Sequence, residues 1–170
     1  METKKKVLVG MSGGVDSSTA AALLLDQGYE VYGTTLKLWD SPHDCDRPMT
    51  RTCCSLEDVE DARAVAFKLG IPFYVLNMKQ LFEEKVVNYF VDAYLGGITP
   101  NPCIACNKYI KFEAMLNKAL ALGMDYIATG HYARIEYNEK SGRYILKNIV
   151  NSFAPSTTAD SWISSGISRK

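Results

Sequence analysis

The sequence predicts an α/β fold: a doubly wound, mostly parallel sheet ending in a β-hairpin and a disordered tail. Three observations lead there. Short β-rich runs alternate with helical patterns of about a dozen residues, the rhythm of strand–helix–strand units. A turn rich in glycine and serine joins the first strand to the first helix. The 170 residues, 47% apolar and 11% aromatic, suit one domain with a sizeable core and exclude wholesale disorder.

The elements follow in order. Residues 5–10 (Lys-Lys-Val-Leu-Val-Gly) read as a short buried strand. The turn over 11–16 leads into an Ala/Leu-rich helix over 17–27, which Gly28 is placed to end. Residues 29–39 give a second strand. Residues 41–54 hold Pro42, Pro48 and three cysteines and read as an exposed excursion. Ser55-Leu56-Glu57-Asp58 reads as an N-cap with an acidic first turn, opening a helix to Leu69 that Gly70 closes. Residues 71–78 form the third strand. Leu81, Phe82, Val86, Phe90 and Ala93 give residues 80–95 a helical spacing.

Two glycines and two prolines in 96–102 break that helix. Residues 107–122 are helical again, and 124–129 are the fourth strand. Runs at 133–137 and 143–147 flank a turn at Ser141-Gly142 and predict the hairpin. Residues 148–170 are rich in Ser and Thr without periodicity, hence the tail. The expected organisation is a domain over 1–147 followed by a divergent segment over 148–170. In such folds ligands sit at the carboxyl ends of the strands, which singles out the turns after the first, second and fourth.

Charge balances at 19 basic and 19 acidic residues, so the chain lacks the basic excess of a freestanding nucleic-acid-binding module. The longest apolar run, residues 20–25, is far too short to span a bilayer, and the start carries no secretory h-region. A cytoplasmic protein without membrane contact is the expectation. Five cysteines are an odd number for a disulfide framework, and in a reducing compartment they point to chemistry, metal or packing.

The strongest local signal runs Gly10, Met11, Ser12, Gly13, Gly14, Val15, Asp16, Ser17, Ser18 between strand and helix. Adjacent glycines let successive amides converge on an anion, and the helix adds its N-terminal partial charge. The serines supply hydroxyls, and Asp16 is suited to orient an amide or hold Mg²⁺. No Lys-Ser/Thr pair follows the glycines, so this is not a Walker loop, and the Gly-x-Gly-x-x-Gly pattern is absent. The plain alternative is a tight turn with a serine cap. The stretch resembles the Ser-Gly-Gly-x-Asp-Ser signature of the PP-loop ATP pyrophosphatases, an adenine nucleotide alpha hydrolase-like fold. That resemblance implies cleavage of ATP between its α and β phosphates and adenylation of a carbonyl-type oxygen.

The second signal lies between Gly96 and Phe112. Pro100 and Pro102 stiffen the approach to Cys103, and Cys106 is placed at or near the start of the next helix. There the helix dipole, with Lys108 or Lys111, would favour a thiolate. A Cys-x-x-Cys pair serves as a redox dithiol, half of a zinc site or part of an iron–sulfur site. A zinc site needs two more ligands from Cys45, Cys53, Cys54, His43 and His131, whose spacing is not the usual second knuckle. Two buried structural cysteines are the plain reading.

Thr99-Pro100-Asn101-Pro102, Cys106-Asn107 and Ile110-Lys111-Phe112, together with the glycine turn, resemble the tRNA-specific 2-thiouridylase family (MnmA type). The resemblance implies that Cys106 is the nucleophile and that Asn101, Pro102 and Cys103 help select the target base. Many members have Asp where this chain has Cys103. A cysteine there opens iron–sulfur ligation by Cys103 and Cys106 beside a persulfide relay. It also implies ATP contacts by Gly10 to Ser17, by Leu36 and by Gly130, and a tRNA contact by His131. From the residues alone, Leu36 reads first as ordinary core, and His131 as readily as a hydrogen-bonded strand-end histidine. Lys108, Lys111 and Lys118 suit either RNA phosphates or a solvated helix face. His43, Asp44 and Asp46 read as a solvated loop.

The resemblance implies an ATP- and Mg²⁺-dependent tRNA uridine 2-sulfurtransferase. Its partners are a tRNA with a wobble uridine and a sulfur-donor protein or sulfide source. It covers residues 6–147. Family members continue with further tRNA-binding regions, a C-terminal β-barrel and a second catalytic cysteine, and this chain has no cysteine after Cys106. It is therefore expected not to complete thiolation alone. Two other classes remain: a non-catalytic ATP- or iron–sulfur-binding module, and another PP-loop ATP pyrophosphatase.

Overall fold

The computed structural model describes residues 4–39, 56–131 and 134–147. The expected excursion over 41–54, with His43, Cys45, Cys53 and Cys54, and the segment over 148–170 lie outside them. The elements are β1 (Lys6–Gly10), α1 (Val15–Asp26), β2 (Glu30–Lys37), α2 (Leu56–Leu69) and β3 (Phe73–Asn77). A composite helix follows: α3 (Lys79–Phe82), the π-helical segment π1 (Glu83–Val87) and α4 (Asn88–Leu95). A second composite helix comprises α5 (Pro102–Ala105), π2 (Cys106–Ala114) and α6 (Met115–Ala121), before β4 (Tyr126–Thr129).

The main sheet has the order β3-β2-β1-β4, and every pairing in it is parallel. Alternate residues of β1 serve opposite faces, as the period of two requires. Val7 and Val9 pack with Ala21 and Leu24 of α1 and with Ala62 and Ala66 of α2. Leu8 packs with Ile110, Met115 and Ala119 of the second composite helix on the other face. Helices therefore cover both faces, as the alternation predicts. Because β1 lies inside the order, the chain reverses its winding direction beside it. That reversal opens a crevice at the carboxyl ends of β1 and β4.

Two features add to or alter the sequence reading. The strand β3 is a sheet edge, with Tyr74 43% and Val75 41% exposed, a position that the sequence reading of 71–78 as a third strand left open. The helix expected from residue 107 begins at Pro102. Pro102 occupies the first helical turn, where its missing N–H costs nothing. Asn101 precedes it, and its Oδ1 accepts from the amides of Cys103 at 3.0 Å and Ile104 at 3.3 Å. Asn-Pro, read from sequence as a break, is thus a helix start.

The π-helical stretch was not legible from a 3.6-residue period. Turning about 100° per residue, an α-helix would carry Met115 to the side opposite Cys106. The wider i→i+5 winding returns Met115 to the same face. Cys106, Ile110 and Met115 accordingly share one buried cluster.

The hairpin β5 (Arg134–Asn138) and β6 (Arg143–Lys147) forms a separate antiparallel sheet. Asn138 Oδ1 accepts from the amides of Lys140 and Ser141, and Gly142 takes φ +62° to close the turn. Among the described residues no helix is long and apolar enough to cross a membrane.

Candidate functional site

The crevice is a cleft of about 240 Å³. One wall is the turn after β1, with Gly10, Met11 and Ser12 leading to Asp16 and Ser17 of α1. The floor is the end of β2, where Leu36 takes its place beside Thr34 and Thr35. Gly130 and His131 line it after β4, and Lys111 and Met115 of the second composite helix complete the lining, Met115 Sδ packing against Gly10. Eight residues expected to bind nucleotide or tRNA meet here although they come from three separate segments: Gly10, Met11, Ser12, Asp16, Ser17, Leu36, Gly130 and His131.

The turn is held by short-range polar bonds. Ser17 Oγ accepts from the Ser12 amide at 3.2 Å and donates to Gly14 O at 3.2 Å. Thr35 Oγ1 donates to Met11 O at 2.7 Å, and the Met11 amide bonds to Thr34 O at 2.7 Å. Ser18 spends its hydroxyl on Gly14 O at 2.8 Å and does not line the cleft. Gly14 stands at the N-cap of α1 and brings no side chain to accept from the first-turn amides. Those amides and the helix dipole are available to an anion. The Val15 side chain is 80% exposed and outside the cleft, leaving its backbone alone as a possible contact.

Three glycines have distinct reasons. Gly13 takes φ +75°, and a Cβ there would lie 2.8 Å from Asp58 O and 3.0 Å from Asp61 Cβ of α2. A Cβ on Gly130 would lie 2.7 Å from the Ser17 amide nitrogen and 3.0 Å from Ser17 Cα. The close approach that Gly130 permits is therefore that of the α1 backbone. A Cβ on Gly14 would meet only Ser12 Oγ at 3.5 Å, so packing does not demand glycine there.

His131 Nδ1 lies 2.8 Å from Thr129 Oγ1, and its ring tilts against Phe112 at 5.6 Å. Burial, and then the positive charge of Lys111, hold its pKa below the ordinary 6.5. The unfolded chain then takes up this proton first as pH falls below about 6.5, so acidification removes stability. Replacing Lys111 with Gln is expected to raise the His131 pKa and reduce that loss. An NMR titration of the His131 ring protons reads the first effect, and denaturant midpoints between pH 7 and 5 read the second.

The cysteine segment is separate from the cleft lining. Cys103 is exposed, whereas Cys106 is buried, 8% exposed, among Leu36, Leu38, Met78 and Ile110. Cys106 stands in the second turn of a continuous helix, not at its start, and a helix dipole acts over the first turn only. Lys108 lies over the Tyr109 ring at 4.7 Å. The dipole argument for Cys106 therefore does not carry over to this conformation. Asn101 is exposed as the helix cap, Pro102 is partly buried beside it, and Lys118 is exposed.

Among the described residues no three of His, Cys, Asp and Glu converge to hold a metal. Cys103 and Cys106 supply two thiols of the three or four that an iron–sulfur cluster uses, so the described residues alone do not fit one. Mg²⁺ asks less, one or two carboxylates completed by phosphate and water, and Asp16 in the cleft fits that demand. Thr34, Thr35, Thr129 and Met115 also line the cleft and went unnoticed in the sequence, where a threonine in a β run looks like any strand residue. Thr34 Oγ1 is fully buried and has no hydrogen-bond partner.

Comparison with known proteins bears on the fold and the family. A chain of Methanocaldococcus jannaschii described as a predicted subunit of tRNA methyltransferase superimposes with a TM-score of 0.50 at 23% identity. The match covers 75% of this chain and 53% of that one, and it speaks for the fold alone. The tRNA-specific 2-thiouridylase MnmA of Acetivibrio thermocellus is 62% identical over 148 residues, 87% of this chain and 41% of the relative. That of Clostridioides difficile is 59% identical over 150 residues, again 41% of the relative. The chain thus spans about two-fifths of the length of the curated relatives it matches. The family described as the tRNA methyl transferase HUP domain matches residues 5–153, which takes in the whole sheet, the glycine turn, the cysteine segment and the hairpin. By that match the chain belongs to the tRNA methyl transferase HUP-domain family.

Proposed function

We propose that this chain is the ATP-binding, adenylating part of a tRNA uridine 2-sulfurtransferase. The observation that carries the reading is the convergence of Ser12, Asp16, Ser17, Leu36 and Gly130 in one cleft at the winding reversal of the sheet. ATP lies with its phosphates at the turn Gly10, Met11, Ser12, Gly13, Gly14, Val15, Asp16 and Ser17. First-turn amides of α1 meet the negative charge there. Leu36 offers apolar surface to a purine ring. Asp16 would hold Mg²⁺, which when bound would neutralise phosphate charge.

The target is the C2 oxygen of a wobble uridine. Attack of that oxygen on the α-phosphorus expels pyrophosphate, and the resulting adenylate makes AMP the leaving group when sulfur adds at C2. Asn101, Pro102 and Cys103 stand at the cap and first turn of the helix where they can meet an extruded base, with His131 in the cleft lining. Cys106 serves as the thiol that takes part in sulfur delivery. Its burial requires the start of the helix to open before it reacts. A sulfur-donor protein or sulfide source and the tRNA are the partners, and cytoplasm is the compartment where they meet. The two-fifths span relative to MnmA proteins supports a chain that binds ATP while leaving full thiolation to a longer protein.

A calorimetric titration with Mg-ATP tests the reading. Saturable binding is expected, and Ser17→Ala, which removes the hydroxyl holding the Ser12 amide, is expected to weaken it about tenfold. A wild-type chain that shows no saturation at millimolar ATP overturns the assignment.

A further inference from the structure

We infer that Lys111 is a nucleotide-phosphate ligand of the cleft and not a contact to the RNA backbone; this rests on the ATP reading above. Lysines on a helix usually form a solvated face, and Lys118 of the same composite helix is exposed in that manner. Lys111 is half-buried instead and lines the same cleft as Ser12, Asp16 and Ser17.

The helix geometry explains its direction. Cys106, Ile110 and Met115 are all needed in the core, and only i→i+5 winding keeps them on one face. Within that winding Lys111 follows Ile110 at the border between core and cleft. The π-helical segment therefore puts Lys111 in the cleft lining, near enough for its charge to act on His131. Its neighbours are spoken for or apolar. Lys108 lies over Tyr109, and Phe112 contacts the His131 ring. Among the described residues no carboxylate forms an ion pair with Lys111.

A half-buried lysine lining one cleft with a turn of backbone amides is an arrangement for a shared anion. The amides approach from the α1 side, and the lysine from the π2 side. A phosphate chain lying between them would be clamped by a fixed dipole and a mobile point charge. Where a leaving phosphate gains charge, the same amine would offset it.

Binding of adenosine, AMP and ATP to the 170-residue chain, compared across Lys111→Gln and Lys111→Arg, tests the inference. Lys111→Gln is expected to weaken ATP about tenfold or more while leaving adenosine within about twofold. Lys111→Arg, which keeps the charge, is expected to restore most of the loss. A lower salt dependence of ATP binding in Lys111→Gln is the accompanying signature. Equal ATP affinity in wild type and Lys111→Gln overturns the inference and leaves the ATP reading standing. Equal weakening of ATP and adenosine also overturns it, because the lysine would then be shaping the cleft. Failure of the wild-type chain to bind ATP defeats the ATP reading itself.

Discussion

Gly130→Ala is expected to cost about 3 kcal/mol of stability, near the top of the range for forcing atoms into a packed site, and to abolish nucleotide binding. The new methyl would sit 2.7 Å from the Ser17 nitrogen and 3.0 Å from both the Asp16 carbonyl carbon and Ser17 Cα. All three are backbone atoms, so no side chain can turn aside. Either β4 moves away from α1, or the first turn of α1 shifts and takes Ser12 and Ser17 with it. Both widen the cleft. Chemical denaturation with fluorescence detection reads the stability, and an ATP titration of the surviving folded fraction reads the site. Gly14→Ala is the contrast, because its methyl would meet only Ser12 Oγ at 3.5 Å. Its stability is expected within about 1 kcal/mol of wild type. If Gly130→Ala proves as benign as Gly14→Ala, the tight contact between β4 and α1 is not what shapes the cleft.

Ile110→Ala is expected to destabilise by about 3–4 kcal/mol, equivalent to roughly 10 °C in midpoint. Ile110 is completely buried and packs in the cluster that contains Leu8, Cys106 and Met115. Truncation leaves a cavity between Cys106 and Lys111 in sequence, inside a helix whose i→i+5 winding exists to keep this face packed. Two readouts are expected to move together. The thermal midpoint falls, and Cys106 becomes faster to label with a small thiol reagent. Cys103, already exposed, serves as the internal reference. An unchanged Cys106 labelling rate alongside a lowered midpoint would show that Ile110 supports the core without holding this helix closed.

The parts of the molecule legible in the sequence share a physical cause. The β1 strand, the glycine turn and α1 are local: three hydrophobic residues, two adjacent glycines and an alanine-rich segment state their own structure. The hairpin is local too, fixed by Asn138 and Gly142. Strand alternation revealed the parallel sheet, but its order depends on contacts between residues more than a hundred positions apart. The edge position of β3 is a consequence of that order, and a run such as Phe-Tyr-Val-Leu reads the same at an edge as in the middle. Helix starts were misplaced where Asn101-Pro102 reads as a break in one context and as cap and first turn in another. The π-helical segments escaped because apolar spacing is judged against 3.6 residues per turn, whereas Cys106, Ile110 and Met115 follow a wider one.

The site was legible to the same degree. The turn residues and His131 carry chemical types that attract attention, and the structure gathers them. Thr34, Thr35 and Thr129 are ordinary strand residues made cleft residues by the sheet order. For Cys106 the sequence left a reactive thiol and a buried structural cysteine both open, and the structure places it in the core, 8% exposed.

The pairing of β1 with β4 has a consequence for how the molecule is made. Lys6 and Asp125, 119 positions apart in the chain, bond to each other, and Val7 faces Tyr126 in the ladder. During synthesis β1, α1, β2, α2 and β3 leave the ribosome well before β4 and can assemble in sequence. The partly made chain then presents the outer side of β1 as an unpaired parallel edge, a place where another strand can dock by mistake. Arrival of β4 both blocks that edge and brings Gly130 and His131 to the glycine turn. Protection of the nascent sheet from mispairing and acquisition of the cleft are thus a single late event.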